Sequence, residues 1–396
     1  MKIYQNIGVL NLSKAKDPVL EEIHKLENIG LLITSKDQTE KLGHIEMENI
    51  GDQAVIDGKK DIGMVIRNGI LDIKKSFLED SEKEIFFIVN GIFSIEEMPG
   101  EHLRKIHGIV LNGEMVAPEK VYGVLSDRLK INGEVLTYPE GFLYLKGDFT
   151  LQEEHLLGLQ DQSKVAVATL KMLEEVDTQL VEDKIEKMVI LKELITTKNN
   201  LRWIAPRVEN YTEVAKTIVP EGYDYYEKLT ISDENLSSFT NRKIFVKRKL
   251  KIDLPFEKIK GHISDIKGKA LYVPEGEREA YLEVAEGMEI KTFNPKAVEN
   301  YAKLEVDSGY LKGRESIEIE NYGVLEVKEE VTEELLDLGI KRIKNYGKIQ
   351  CPKKIYALLS QKVTENYGVI DSKSDRPVKV EETAHTKVSN MGVLIL

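Results

Sequence analysis

The side chains that could carry out acid–base or metal chemistry are scattered along this chain. None of the seven histidines stands at a recognised metal-ligand spacing from another histidine, a cysteine or a carboxylate. No Gly-X-Ser-X-Gly motif, glycine-rich phosphate loop or paired Ser/His/Asp grouping occurs. The residues therefore predict no catalytic centre, no metal site and no cofactor. The histidines are His24, His44, His102, His107, His155, His262 and His385.

Three other groups of side chains could contact a partner. Tyr322, Tyr346 and Tyr367 recur at a regular spacing and could stack sugars or bases, although packing between repeats is the interpretation we favour. Trp203 and Tyr225 are candidate contacts for a protein or glycan. A basic cluster could dock an acidic partner or could be a solvated strand face. Its members are Lys243, Lys247, Arg248, Lys249 and Lys251, of which Lys247, Arg248 and Lys249 are the candidate contacts.

The composition limits the class of partner. The chain has 396 residues, a formal net charge of −12 and a single cysteine, Cys351. The negative charge argues against general affinity for nucleic acid or an anionic membrane. No apolar run reaches the roughly 18 residues of a membrane span, and no secretory signal is visible. We expect a cytoplasmic protein, with a surface or spore-layer location as the alternative, and we expect Cys351 to be a small buried apolar side chain.

Asparagines followed closely by glycine recur along the chain with a period in the low twenties. Asn321, Asn345, Asn366 and Asn390 are separated by 345−321 = 24, 366−345 = 21 and 390−366 = 24 residues. Such a period is typical of a solenoid. The same feature recurs near the N-terminus at Asn6, Asn28, Asn49, Asn68, Asn90, Asn112 and Asn132.

These asparagines are interpreted as structural corners. Asn and Gly tolerate left-handed backbone, and a stacked Asn side chain can satisfy backbone groups where the chain turns. A ligand-binding ladder is the alternative interpretation.

One repeat combines a short strand with a helical return. Residues 6–12 alternate branched apolar side chains and predict a strand. Asp17, Pro18 and the apolar spacing up to Leu26 predict a helix of two to three turns. Since parallel neighbours need a crossover, we predict an α/β solenoid of stacked short parallel strands with short helical or irregular returns.

Three sections are expected from the corner signature. Residues 1–160 carry Asn-X-Gly or Asn-Gly corners, residues 161–300 are divergent repeats, and residues 301–396 carry Asn-Tyr-Gly corners. Within the middle section, 199–226 is the least regular stretch and is predicted to be a decorated repeat or an inserted loop, not a domain boundary.

The helical return that feeds a short strand, as in residues 23–33 and 358–370, resembles the leucine-rich-repeat superfamily. The resemblance covers most of the chain as period and pattern. It implies a recognition or scaffold role without chemistry.

The first and last strands are expected to lack capping repeats. A bare terminal repeat leaves strand hydrogen bonds and apolar side chains unpaired. This favours a non-enzymatic scaffold that self-associates head to tail or laterally. The alternatives are a monomeric module that binds a protein or glycan, and an enzyme with an acidic groove for which no carboxylate pair can be named.

Overall fold

The computed structural model describes residues 1–282, 284–295, 297–314, 316–373 and 386–396. The chain forms two compact units, the first comprising Met1–Val219 with Glu381–Leu396 and the second Pro220–Val380. Both are mixed α/β structures built from repeated short parallel strands. Of the two boundaries between the units, the one after Val219 lies inside the section 161–300 and the one after Val380 lies inside the section 301–396.

The first unit contains three four-stranded parallel sheets, A, B and C. Sheet A runs in the order β25-β1-β2-β3, with β1 (Lys2–Asn11), β2 (Ile23–Ser35), β3 (Glu46–Ile56) and β25 (Thr386–Ile395). Sheet B contains β4 (Gly63–Ile73), β5 (Ile85–Ile95), β6 (Ile106–Pro118) and β7 (Leu129–Tyr138). Sheet C contains β8 (Leu143–Thr150), β9 (Ser163–Met172), β10 (Ile185–Thr197) and β11 (Ala215–Val219).

The second unit also contains three parallel sheets, D, E and F. Sheet D contains β12 (Asp224–Ile231), β13 (Arg242–Ile252), β14 (Ile263–Gly268), β15 (Ala270–Pro274) and β16 (Glu289–Phe293). Sheet E contains β17 (Val298–Asn300), β19 (Ile317–Asn321), β21 (Ile340–Asn345) and β23 (Val363–Asn366). Sheet F contains β18 (Lys303–Val306), β20 (Val324–Val327), β22 (Lys348–Pro352) and β24 (Val369–Lys373).

Short helices return the chain between parallel strands, as the crossover requirement demands. In the described residues the α-helices are α1 (Asp17–Glu21), α2 (Lys36–Lys41), α3 (Lys75–Glu79), α4 (Gly100–Leu103), α5 (Glu119–Leu125), α6 (Glu153–Leu157), α7 (Thr178–Lys184), α8 (Lys198–Ile204), α9 (Phe256–Ile259), α10 (Arg278–Tyr281), α11 (Ser308–Leu311), α12 (Glu333–Gly339) and α13 (Tyr356–Lys362). Short 3-10 turns cover Leu42–His44, Ser126–Arg128, Ala205–Arg207, Leu236–Phe239 and Lys353–Ile355.

The predicted helix up to Leu26 is wrong in its length. Helix α1 begins with Pro18 in its first turn, as expected, but it ends at Glu21. Ile23 and Leu26 lie in β2, where they pair with Lys2 and Tyr4 of β1 and are buried. Strand pairing therefore overrides an apolar spacing that is also compatible with a helix.

The strands are buried on both faces where sheets pack against each other. In sheet B, Phe87 and Phe93 face the helical side and pack in one core cluster with Leu103. On the opposite face, Phe86 packs in a cluster with Val9 of sheet A. Burial on both faces is typical of parallel sheets and explains the near-continuous apolar runs.

Ion pairs align the edges of neighbouring sheets in the first unit. Lys130 of β7 pairs with Asp52 of β3. Lys146 of β8 pairs with Asp72 of β4 at 2.6 Å. The outer strand β7 of sheet B therefore lies beside the outer strand β3 of sheet A, and the outer strand β8 of sheet C lies beside the outer strand β4 of sheet B.

The first strand is not a bare end. Strand β25 pairs with β1 in parallel, with Ile7 opposite Met391 and Gln5 opposite Ser389. The expectation of an uncapped first strand is therefore wrong for β1, because a strand from the other end of the chain covers it. The outer strands of sheet A are β25 and β3.

The segment 199–226 is built of ordinary elements. It contains most of α8, all of β11 and the beginning of β12. Strand β11 is the outer strand of sheet C, and β12 is the outer strand of sheet D. A division between the two compact units, after Val219, falls inside this segment, so a boundary lies where the sequence predicted none.

Candidate functional site

The asparagine corners of sheet A form a chain of carboxamide hydrogen bonds. Asn6, Asn28, Asn49 and Asn390 have φ angles of 55°, 55°, 54° and 61°, in the left-handed region. The Nδ2 group of Asn49 donates to Oδ1 of Asn28 at 3.0 Å, and that of Asn28 donates to Oδ1 of Asn6 at 3.1 Å. Asn6 donates in turn to Asn390 at 3.3 Å. All four side chains are exposed.

Sheet B achieves the same corner with different residues. Asn68, Asn90, Asn112 and Asn132 stand in register, and each is followed by a glycine with positive φ. Nδ2 of Asn90 donates to Asn68 at 2.9 Å, and that of Asn112 donates to Asn90 at 3.0 Å. The left-handed position has moved from the asparagine to the following glycine.

In the second unit the inner corner asparagines are buried. Asn321 and Asn345 are both 0% exposed. Asn321 donates from Nδ2 to Oδ1 of Asn345 at 2.7 Å and to the carbonyl of Lys348 at 3.1 Å, and Asn345 donates to Asn366 at 2.8 Å. These bonds join the end of sheet E to the start of sheet F.

Sequence reasoning missed the first member of this ladder. Nδ2 of Asn300 donates to Oδ1 of Asn321 at 2.7 Å. Asn300 is followed by Tyr301 but then by Ala302 in place of glycine, so the Asn-X-Gly pattern did not include it. The Asn-Tyr pair 21 residues before Asn321 (321−300 = 21) was the signal that could have found it.

The corner glycines of sheet A are required by close approach of neighbouring repeats. A Cβ on Gly8 would lie 2.6 Å from the carbonyl oxygen of Gly392, and one on Gly30 would lie 2.6 Å from that of Gly8. A Cβ on Gly51 would lie 2.7 Å from the carbonyl oxygen of Gly30. Each contact points towards the β25 side, so the corners are stacked with one polarity.

The tyrosines of the second unit form a continuous stack. Tyr301, Tyr322, Tyr346 and Tyr367 stack face to face, with ring centroids 5.0, 5.0 and 5.5 Å apart and planes within 7° of parallel. Their ring faces therefore contact each other, while Tyr301 and Tyr367 at the two ends are 65% and 77% exposed. This places Tyr322, Tyr346 and Tyr367 together and leaves the ring edges facing solvent.

Glutamates line the hydroxyl side of the stack. The Tyr301 hydroxyl donates to Glu299 at 2.8 Å, and the Tyr346 hydroxyl donates to Glu365 at 3.1 Å. Partial loss of hydration and these hydrogen bonds raise the pKa of Tyr301 and of Tyr346 from the ordinary 10.0 to about 12. Tyr301 and Tyr346 are thus neutral at pH 7. Both glutamates are also ion-paired, Glu299 with Lys251 and Glu365 with Lys344, so the border of the stack carries both signs of charge.

The other predicted contact residues are dispersed. Trp203 is half-buried in α8 and packs against the core of the first unit. Tyr225 lies in β12, is half-buried and stacks on Phe245 with ring centroids 6.3 Å apart. The hydroxyl of Tyr225 donates to Glu227 at 2.6 Å.

The basic residues of β13 are engaged by neighbours within the second unit. Arg248 pairs with Glu227 at 2.5 Å, and Lys247 lies 3.7 Å from the same carboxylate. Lys249 lies over the ring of Tyr272, 4.4 Å from its centroid. Local charge pairing therefore accounts for part of this basic sequence.

Groups that could hold a metal ion do not converge in the described residues. No set of three or more His, Cys, Asp or Glu side chains there could hold a metal ion. Cys351 is buried in the core of the second unit, and burial raises the pKa of its thiol from 9.0 to about 11. At pH 7 it is therefore a neutral, unreactive thiol.

None of the described helices combines the length and the apolar character needed to cross a bilayer. Comparison of the chain with protein-family models, curated proteins and solved structures gives no match.

Proposed function

We propose that this chain is a non-enzymatic repeat protein of the solenoid type that acts as a self-assembling structural scaffold. The observation that carries the proposal is the placement of exposed apolar side chains. Within the described strands, every exposed large apolar side chain lies on an outer strand of its sheet. These side chains are Met47 and Val55 on β3, Ile70 on β4, Leu143 on β8, Ile218 on β11, Val369 on β24, and Met391, Val393 and Ile395 on β25.

Outer strands of this kind favour association. Their unpaired N–H and C=O groups can accept another strand, and monomeric proteins usually protect such edges with charges, prolines or bulges. Here exposed apolar side chains, such as Val55 (59% exposed) and Ile395 (61% exposed), stand on the edges among the charged ones. At about 25 cal/mol per Å² of apolar surface, burying a few hundred Å² supplies several kcal/mol towards association.

The test is the oligomeric state over a range of concentration. We expect light scattering coupled to size-exclusion chromatography to give a mass that rises with concentration above the 45.0 kDa of one chain. Electron micrographs should then show ordered assemblies. A strict monomer at the highest attainable concentration refutes the proposal.

A leucine-rich-repeat-like monomeric binding module is the second candidate, and the tyrosine stack is the observation that favours it. Its exposed ring edges and the polar groups beside them suit a glycan or a protein segment. Screening of glycans and basic peptides against the native chain and Tyr346→Ala tests this candidate. Binding that is lost in the variant, by a chain that stays monomeric, would favour it over the scaffold.

A further inference from the structure

Sheet A presents the same type of corner on both of its outer strands. Asn390, Met391 and Gly392 form the corner on β25, and Asn49, Ile50 and Gly51 form it on β3. Both corners are exposed or half-exposed. All four strands of the sheet are parallel, so one more strand could continue it on either side.

The asparagine ladder gives the two edges complementary hydrogen-bonding groups. Every carboxamide in the ladder donates towards the β25 side, from Asn49 through Asn28 and Asn6 to Asn390. In the described residues, no acceptor meets Nδ2 of Asn390 and no donor meets Oδ1 of Asn49. The β25 edge thus ends in a donor and the β3 edge ends in an acceptor.

Within one chain, no neighbouring atom of the described residues excludes a side chain at position 392, unlike at the other corner glycines of sheet A. The Cβ positions of Gly8, Gly30 and Gly51 each lie within 2.7 Å of a carbonyl oxygen in the next repeat. At Gly392 nothing lies within 4 Å, and its φ is outside the left-handed region. A repeat stacked beyond β25 would bring its own corner carbonyl to Gly392 and would make glycine necessary there.

The second unit supplies a contrast. Gly323 at the same corner position would place a Cβ 2.0 Å from the carbonyl oxygen of Ala302 in the preceding repeat. Ala302 lies between β17 and β18, the outer strands of sheets E and F, and in the described residues no earlier repeat pairs with these strands. The chain therefore carries alanine at one open corner and glycine at the other.

Charges and register also match across the two edges of sheet A. If Asn390 is placed opposite Asn49, Lys387 falls opposite Glu46, because 390−387 = 3 and 49−46 = 3. Lys25 of β2 already lies 3.4 Å from Glu46, and it occupies the same register position as Lys387, since both stand opposite Ile3. A second lysine beside Glu46 would repeat an existing arrangement.

We propose that the β25 edge of one copy pairs in parallel with the β3 edge of a second copy, so that sheet A continues from chain to chain. The contact uses two different surfaces and is heterologous, so it builds an open filament or a ring. This inference rests on the proposed self-assembly and names its junction. The occupant is a second copy of this chain because, among the described residues, the β3 edge of sheet A carries the matching corner, a free acceptor on Asn49 and the carboxylate of Glu46.

Cross-linking between two single-cysteine variants tests the junction directly. In the proposed register Ser389 lies opposite Glu48, so an equimolar mixture of Ser389→Cys and Glu48→Cys chains should give a disulfide-linked dimer of both. Within one chain the two positions are separated by three strand spacings, about 14 Å, whereas a disulfide needs Cα atoms about 4.4–6.8 Å apart. The native Cys351 is buried and does not compete.

A steric variant gives the second measurement. Gly392→Ala should leave the folded chain unchanged, because its Cβ meets nothing within 4 Å. In the junction that Cβ would strike a carbonyl, so the dissociation constant for self-association should rise about tenfold or more. Gly100→Ala is the matched control. A Cβ at Gly100 would also have nothing within 4 Å, but Gly100 begins α4, between the inner strands β5 and β6 of sheet B.

The outcomes separate the junction from the scaffold function. Chains that assemble but give no mixed disulfide, with Gly392→Ala as competent as Gly100→Ala, overturn the junction and leave self-assembly standing. Chains that stay monomeric under all conditions overturn both. A mixed disulfide with weakened assembly of Gly392→Ala alone supports the junction.

Discussion

The buried asparagine ladder of the second unit should make a measurable contribution to stability. Replacing Asn321 by alanine removes three hydrogen bonds, one accepted from Asn300 at 2.7 Å and two donated to Asn345 at 2.7 Å and to the Lys348 carbonyl at 3.1 Å. The last two acceptors are left without this donor. At about 1 kcal/mol net for a lost bond and up to about 3 kcal/mol where a buried partner is left unsatisfied, we expect a loss of about 3–5 kcal/mol.

Asn366 at the outer end of the same ladder is the matched control. It accepts from Asn345 at 2.8 Å and from the Gly368 amide at 3.2 Å, but its side chain is exposed and water can replace it. We expect Asn366→Ala to cost only about 1 kcal/mol.

Urea unfolding followed by circular dichroism measures the two losses. Because the chain has two compact units, amide hydrogen exchange should be read on peptides of the second unit to assign the effect. A change below about 0.5 kcal/mol for Asn321→Ala, within the range of ordinary surface substitutions, would refute the reasoning. A loss equal to that of Asn366→Ala would refute it too.

Three further perturbations have expected outcomes. Gly30→Ala should destabilise the chain by about 1–3 kcal/mol in urea titrations, because its Cβ would lie 2.6 Å from a carbonyl oxygen. The control Gly43→Ala has open space at its Cβ and should be nearly neutral. Equal effects of the two substitutions would contradict the close-approach argument. Cys351 should resist alkylation at pH 8 in the native chain and react once the chain is unfolded, since it is buried and its pKa is raised to about 11; rapid native reaction would contradict its burial. The raised pKa values of Tyr301 and Tyr346 favour the neutral phenol in the folded state, so their stabilising contribution is complete below pH 10 and is lost as pH rises towards about 12. Phenylalanine at both positions should flatten that loss in alkaline urea titrations, and an unchanged pH dependence would contradict the assignment.

The recurring corners were predictable because the local backbone geometry requires their residue types. Asn28 needs left-handed backbone, and Gly30 needs to admit a neighbouring carbonyl, so both requirements are visible in the sequence. The parallel strands and short helical returns followed from the same period. Asn321 and Asn345 were found by the Asn-Tyr-Gly motif and its spacing, although their burial was not foreseen.

The division into separate sheets could not be predicted from the corners. Asn49 and Asn68 are 68−49 = 19 residues apart, close to the spacing within a sheet, yet β3 and β4 belong to different sheets. Sheets A and B pack against each other through residues such as Val9 and Phe86. This packing depends on residues that are far apart in the sequence. Local periodicity carries no information about such face-to-face contacts.

The pairing of β25 with β1 lay equally beyond local reasoning. It joins Asn6 to Asn390 across 384 positions. The repeat at the end of the chain was recognised, but its partner was not, because an Asn-X-Gly corner is compatible with any other repeat of the same kind. Pairing over so long a separation is set by the tertiary structure as a whole.

That same pairing has a consequence for the order of events during synthesis. The ribosome synthesises β1, β2 and β3 long before β25, so sheet A lacks its fourth strand until the chain has been synthesised beyond Thr386. Closing a loop of that length is slow compared with the formation of neighbouring repeats. A nascent chain would thus expose β1 rather than β25, and a truncated product ending before Thr386 would carry a different outermost strand from the finished molecule.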